Sequence, residues 1–231
     1  MRAGEVASLG PSDAAGTPDA SGRADRARNP GGPTQVEQSI VEAVERLLGQ
    51  VALHELTVPV ILTESGISRR TFYMYFSSKN AAVTAVIART MDEILARAQP
   101  WIDDDGVTVA DTLRATLEGT ALAWETHAAA LRCLVENWHV VPELGDIWQA
   151  NVDRFVDAIS GRIDADRAAG LAPPGIDSRK LAAGLIWNGQ QFFYLGSQGV
   201  DPRMPTIKDA VGIMYAMWFG AIYGTGSAPQ R

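Results

Sequence analysis

Apolar residues in this chain recur at helical spacing, and the strict alternation that a strand needs is almost absent. From Thr34 onward the helix signals follow one another. Thr34 and Glu37 form a capping-box pair, in which the threonine oxygen accepts from an orphaned amide and the glutamate reaches back. Behind them Ile40, Val44, Leu47, Leu48 and Val51 fall on one face, with Glu37, Glu42, Glu45 and Arg46 on the other. A short second helix is predicted from Thr57, whose side chain can cap, with Pro59 tolerated in the first turn. Gly66, free to adopt a positive φ, ends it. Ser68 caps a third short helix reaching about Tyr75. Ser78 caps a longer fourth one with the stripe Val83, Val86, Ile87, Met91, Ile94 and Leu95. Pro100 and the acidic run at 103–106 are predicted to close it.

The second half repeats the pattern. Thr108 and Asp111 open a helix through Leu113, Leu117 and Trp124, and another is predicted over about 128–138. Pro142 begins a long helix carrying Ile147, Trp148, Val152, Phe155, Val156, Ile159 and Ile163, and Pro173–Pro174–Gly175 is a firm stop. Two late helices follow, at about 178–196 and 206–223. The fold class is therefore all-α with about nine helices, and no repeat of 20–50 residues is visible. Residues 1–33 lack apolar periodicity and read as a disordered tail, without the apolar core of a signal peptide. Residues 34–80 form a small unit of short helices, and 81–231 a larger helical one.

The last helix, about 210–224, is apolar nearly all round and so must be covered on more than one side. A membrane span needs ~20 apolar residues and this segment is shorter. Its neighbour carries Asn188, Gln190, Gln191 and Gln198, which would be costly in lipid. The expectation is no membrane, and instead a homodimer through the last two helices, each facing its own core on one side and a second subunit on the other.

Composition sharpens this picture in two ways. The single cysteine, Cys133, excludes an internal disulfide and points to a reducing, cytoplasmic interior. The net charge of −7 argues against nucleic-acid binding, since phosphate contacts need Lys and Arg. That argument weakens once the charge is located. Residues 1–100 hold 10 bases and 11 acids, whereas 101–231 hold 10 and 16, and residues 66–79 have three bases and no acid. Binding depends on one exposed face, not on the whole molecule.

Residues 57–79, TVPVILTESGISRRTFYMYFSSK, read as helix, tight turn and helix, the helix-turn-helix arrangement. Val58, Ile61 and Leu62 can face Ile67 and Phe72. Arg69, Arg70 and Thr71 then occupy the exposed first turn of the second helix, where side chains of a recognition helix meet base edges. Arginine suits the O6/N7 edge of guanine, and the threonine methyl suits that of thymine. Tyr73, Tyr75 and Lys79, with the helix starts at Thr57 and Ser68, are candidates for phosphate contacts. Packing against the first helix is the alternative for either tyrosine. Arg23, Arg26 and Arg28 could form a minor-groove arm or simply a solvated terminus.

The stretch GISRRTFYMYFSSK at 66–79 resembles the TetR family of transcriptional regulators, matching its G-[IV]-S-x-x-T-[FL]-Y-x-[YH]-F-x-[SN]-K signature. Val60 and Leu62 depart from the polar residue and alanine usual there. The resemblance implies base contacts at Arg69, Arg70 and Thr71, backbone contacts at Tyr73, Tyr75 and Lys79, and core roles for Phe72 and Phe76. It also implies that 81–231 is a regulatory ligand-binding and dimerisation domain. The closing segment, LIWNGQQFFYLGSQGV and MYAMWFGAIYG, is similar to the EthR-like branch. All six tryptophans lie after residue 100, which suits an aromatic cavity as well as a filled core. Asn188 shares a stripe with Leu181, Leu185 and Phe192, so its amide needs a partner: a ligand, a neighbouring helix or a second subunit. The branch implies a pocket-lining asparagine there and cavity aromatics at Trp124 and Trp218, with Trp187 and Phe193 close by.

Competing chemistry is thin. His127, Cys133 and His139 are six apart, a poor metal-ligand spacing, and no nucleophile elbow, zinc-protease helix or phosphate loop occurs. No cofactor, metal or enzymatic activity is expected. The expected function is a ligand-responsive homodimeric repressor that binds palindromic double-stranded DNA and is released by a small hydrophobic effector. The alternative is an all-helical small-molecule-binding protein or enzyme with the helix-turn-helix as scaffold only.

Overall fold

A computed structural model describes residues 34–103, 108–204 and 206–224; the predicted N-terminal tail and most of the acidic run after Asp103 lie outside the described residues. Among the described residues there are nine helices and no strand, only an isolated bridge between Asp201 and Met204. They are α1 (Gln35–Leu48), α2 (Val58–Ser65), α3 (Arg69–Tyr75), α4 (Lys79–Asp103), α5 (Val109–Thr126), α6 (Ala128–Asn137), α7 (Pro142–Ala168), α8 (Ser178–Gln198) and α9 (Ile207–Tyr223).

The caps explain most of the boundaries. Thr34 Oγ1 accepts from the Glu37 amide at 3.1 Å, Ser68 Oγ from Thr71 at 3.0 Å and Ser78 Oγ from Ala81 at 3.1 Å. Thr57 precedes α2 as predicted, but its side chain makes no capping bond. Pro59, in the first turn, has no N–H, so Val60 is left as the amide a capping oxygen could take, and the Thr57 side chain does not take it. Gly66 ends α2 at φ 69°, ψ 16°, its amide donating to the Leu62 carbonyl at 3.0 Å. That left-handed geometry is open to glycine at no steric cost.

One boundary differs from the sequence expectation. Pro100 does not close α4, which continues to Asp103, the first residue of the acidic run that is the other predicted stop. Trp101, fully buried, holds the last turn in place. Its Nε1 donates to the Tyr223 hydroxyl at 3.3 Å, and its carbonyl accepts from Arg162 Nη1 at 3.0 Å. These tertiary anchors offset the amide that proline removes. Arg162 and Asp166 form a buried pair at 2.8 Å, and Tyr223 donates to the same Asp166 oxygen at 2.7 Å. Burial, then the bond to Asp166, pushes the Tyr223 hydroxyl well above its ordinary value.

α4 organises the rest. Its N-terminal half packs on α1, and further along it meets α5, α6 and α7. α8 lies against α7 and α9, and α9 against α5. One contiguous apolar core runs from Ile40 on α1 to Tyr223 on α9. The boundary expected at residue 80 falls inside the first turn of α4, which belongs to both the small and the large parts. None of the described helices is long and apolar enough to cross a membrane.

α8 and α9 approach closely at Gly196, where a Cβ would sit 2.9 Å from Ile207 Cα. Backbone cannot yield there as a flexible side chain would. Gly196→Ala is expected to destabilise the fold by about 1–3 kcal/mol, an overpacking cost read from the denaturant midpoint at constant slope.

Candidate functional site

The α2–α3 pair presents two unlike faces. Ile61 and Phe72 are fully buried and Phe76 nearly so, while Val58, Leu62 and Ile67 pack on the same core from its edge. On the other side Arg69, Arg70, Tyr73 and Met74 are exposed. The Arg69 guanidinium lies 5.4 Å from the Tyr73 ring centroid, a cation–π arrangement that narrows the range of both side chains. Ser68 and Thr71 share a hydroxyl contact of 2.8 Å besides the cap, and Thr71 is half-buried. Thr57 is exposed at the start of α2. α3 carries two arginines and no acid, and the nearby Glu64 is tied to Arg46 at 2.8 Å. The face is therefore positive despite the acidic chain.

Two of the expected phosphate-contacting residues behave differently. Tyr75 is half-buried and packs on the core. Lys79 turns inward: its Nζ donates to the Leu53 carbonyl at 2.8 Å and the Leu56 carbonyl at 2.7 Å. Those carbonyls belong to the irregular segment before α2, where the backbone has no helical partners, and a charged donor satisfies them well. The structure thus brings Ser68, Arg69, Arg70, Thr71 and Tyr73 onto one short helix and leaves Lys79 as an anchor behind it.

A polar bridge joins the small part to the large one. His127, at the junction of α5 and α6, reaches Glu45 of α1 through Nδ1 at 2.5 Å and Glu93 of α4 through Nε2 at 3.0 Å. Arg89 pairs with Glu45, and Arg97 donates to Glu93 at 2.6 Å, holding that carboxyl below its ordinary value. The sequence offers no local signal for this cluster, whose members come from three separate helical segments. His127 is thereby part of a bridge between helices, and among the described residues no group of His, Cys, Asp and Glu could hold a metal ion. Burial pushes the Cys133 thiol up to about 11, which removes it as a ready nucleophile.

The six tryptophans all engage other rings. Trp124 stacks on Phe193 at 6.1 Å, Trp101 meets Trp218 at 6.3 Å, and Trp187 contacts Trp138 at 5.7 Å and Trp148 at 5.5 Å. Trp124, Phe193 and Trp218 are buried, whereas Trp187 is 39% exposed. Between them on α8, Asn188 has a buried Oδ1 without a hydrogen-bond partner, and the indole nitrogens of Trp148 and Trp218 are in the same position. The two unpaired indoles went unread in the sequence because burial of one ring nitrogen leaves no periodic trace. Clefts of about 450 and 400 Å³ form elsewhere, where α1 and the segment after it meet α5 and α6.

Comparison with known proteins agrees with this layout. Residues 40–86 match the bacterial regulatory protein, tetR family, and residues 113–224 match the C-terminal domain of the transcriptional regulator EthR. The chain is 28% identical over 207 residues to the HTH-type transcriptional regulator EthR of Mycolicibacterium smegmatis, covering 88% of this chain and 93% of that one. Among solved structures, a TetR-family transcriptional regulator from Syntrophomonas wolfei superimposes with a TM-score of 0.70 at 13% identity, over 84% of this chain and 98% of the other. SmeT, the repressor of the Stenotrophomonas maltophilia multidrug efflux pump SmeDEF, was solved in complex with triclosan. It superimposes with a TM-score of 0.67 at 17% identity, over 86% of this chain and 99% of its own. With the helix-turn-helix in place, two family profiles matched in order and a relative aligned along nearly its whole length, the chain belongs to the TetR family, in its EthR-like branch, and is a helix-turn-helix transcriptional regulator.

Proposed function

We propose that the protein is a homodimeric, ligand-responsive repressor of a palindromic operator. The observation that carries this is α3: its arginines and Tyr73 are exposed and free of acids, while Phe72 fixes its opposite face in the core. Arg69, Arg70 and Thr71 would read base edges, with Tyr73 and the helix starts at Thr57 and Ser68 on the phosphates. Two copies of α3 would enter successive major grooves about 34–36 Å apart. Tyr75 and Lys79 support the reading helix from behind.

The dimer would form through α8 and α9. On α9, Ile213 and Met217 are 39% and 43% exposed on the face that turns away from the core, and Trp187 adds to the apolar surface from α8. The effector would bind among Trp124, Asn188, Phe193 and Trp218, with Trp187 at the rim. Its chemistry follows from the unpaired atoms: an apolar, ring-bearing molecule with a donor for Asn188 Oδ1 and an acceptor for an indole N–H. The triclosan complex of SmeT supports a small-molecule role for a regulator of this fold. An effector displaces DNA only by its differential affinity for two conformers.

Enrichment of bound fragments from a random duplex pool by the full chain tests the reading. A discrete inverted repeat is expected, and its absence rejects it. On that operator Arg70→Ala weakens binding and lowers the salt slope by about 0.9 per lost phosphate contact, or leaves the slope intact if Arg70 reads a base. Lys79→Met lowers thermal stability and affinity together but leaves the slope unchanged, because its charge holds carbonyls. Met217→Glu is expected to yield monomers with unchanged helicity by sedimentation and circular dichroism, since a lone buried carboxylate opposes the interface. Asn188→Ala is expected to leave urea stability equal or raise it by about 1 kcal/mol, as no hydrogen bond within the protein is lost.

A further inference from the structure

Met74 is the most exposed of the large apolar side chains on the small unit, at 66%. It lies one turn beyond Arg70, which is also exposed, so the two residues share a stripe along the reading helix. Phe72 and Phe76 secure the opposite side. Nothing in the core holds Met74, and neither the caps nor the ion pairs involve it. A lone exposed methionine elsewhere on a protein needs no account. Here it stands in line with an arginine on an acid-free helix, the one surface of the small unit suited to enter a groove lined with phosphates.

We infer that Met74 is a specificity-determining residue that packs its thioether against the 5-methyl group of a thymine in the major groove. The inference rests on the DNA-reading function proposed above. That methyl is the only apolar feature a base pair offers on the major-groove edge, so an uncharged, apolar side chain on this stripe has one favourable target there. Methionine's unbranched chain adapts to the position of the methyl. Four residues at about 1.5 Å of rise separate Arg70 from Met74 by roughly 6 Å along the helix. At about 3.4 Å per base step, the thymine lies within roughly two steps of the base that Arg70 meets.

The test uses the full chain and the operator enriched from a random duplex pool. Each thymine of both half-sites is replaced in turn by uracil, which removes only the methyl group, and affinities are measured for the wild type, Met74→Ala and Met74→Leu. At one symmetric thymine pair, uracil is expected to weaken the wild type about four-fold per half-site, the worth of one buried methyl. Met74→Ala should bind the thymine operator more weakly and be indifferent to that uracil, while Met74→Leu should retain most of the discrimination. Circular dichroism should be unchanged in both variants, since the side chain is exposed. An equal uracil penalty in the wild type and Met74→Ala at every position overturns the inference and leaves the DNA-reading function standing. A wild-type protein that enriches no discrete sequence overturns that function, and this inference with it.

Discussion

The structure depends on α4 being one uninterrupted helix from Lys79 to Asp103. Its apolar face serves both ends of the one core at once. Ala82, Val83, Val86 and Ile87 are fully buried in the first half, and Met91, Ile94, Ala98 and Trp101 are buried in the second. Each buried Val, Ile or Met contributes about 1.5–3 kcal/mol relative to exposure, so the helix cannot bend or slide without loss on both sides. The small unit therefore has no independent hinge to the bundle. Any movement of α3 must travel through α4 or through the surfaces that α1 shares with α5 and α6.

That constraint gives the polar bridge its meaning. Glu45, Glu93 and His127 tie α1, α4 and the α5–α6 junction together. Trp124 lies one turn before His127 on α5, stacked on Phe193 of α8. Trp124 and the bridge thus lie on one short covalent and hydrogen-bonded route to the helices behind α3. In the function proposed above, coupling between the two ends would be a matter of differential contacts in two conformers, not of distance.

Much of this architecture was legible in the residues. Caps at Thr34, Ser68 and Ser78, the glycine at 66 and the proline at 142 placed helix boundaries within a residue or two, because such signals act over one turn. Periodicity identified the core face of α1 and α4 for the same local reason. The expectation failed at Pro100, where a buried tryptophan one residue on outweighed a missing amide. It was incomplete at Thr57, which begins a helix without capping it.

The chain by itself therefore determined the helix count and order, the buried face of α1 and α4, and the family, through one short motif whose residue types are set by turn geometry and groove chemistry. Tertiary structure alone decided which polar atoms are taken and which remain. Lys79 looked like a phosphate contact until the carbonyls of residues 53 and 56, more than twenty positions away, were found to hold it. Trp148 was read as core and Trp218 as a cavity aromatic, and only the fold shows that both indole nitrogens are unpaired. Met74 was an unassigned letter between two tyrosines until its exposure placed it on the reading face. Hydrogen bonds and burial between distant segments depend on where the chain returns in space, and no local pattern encodes that return.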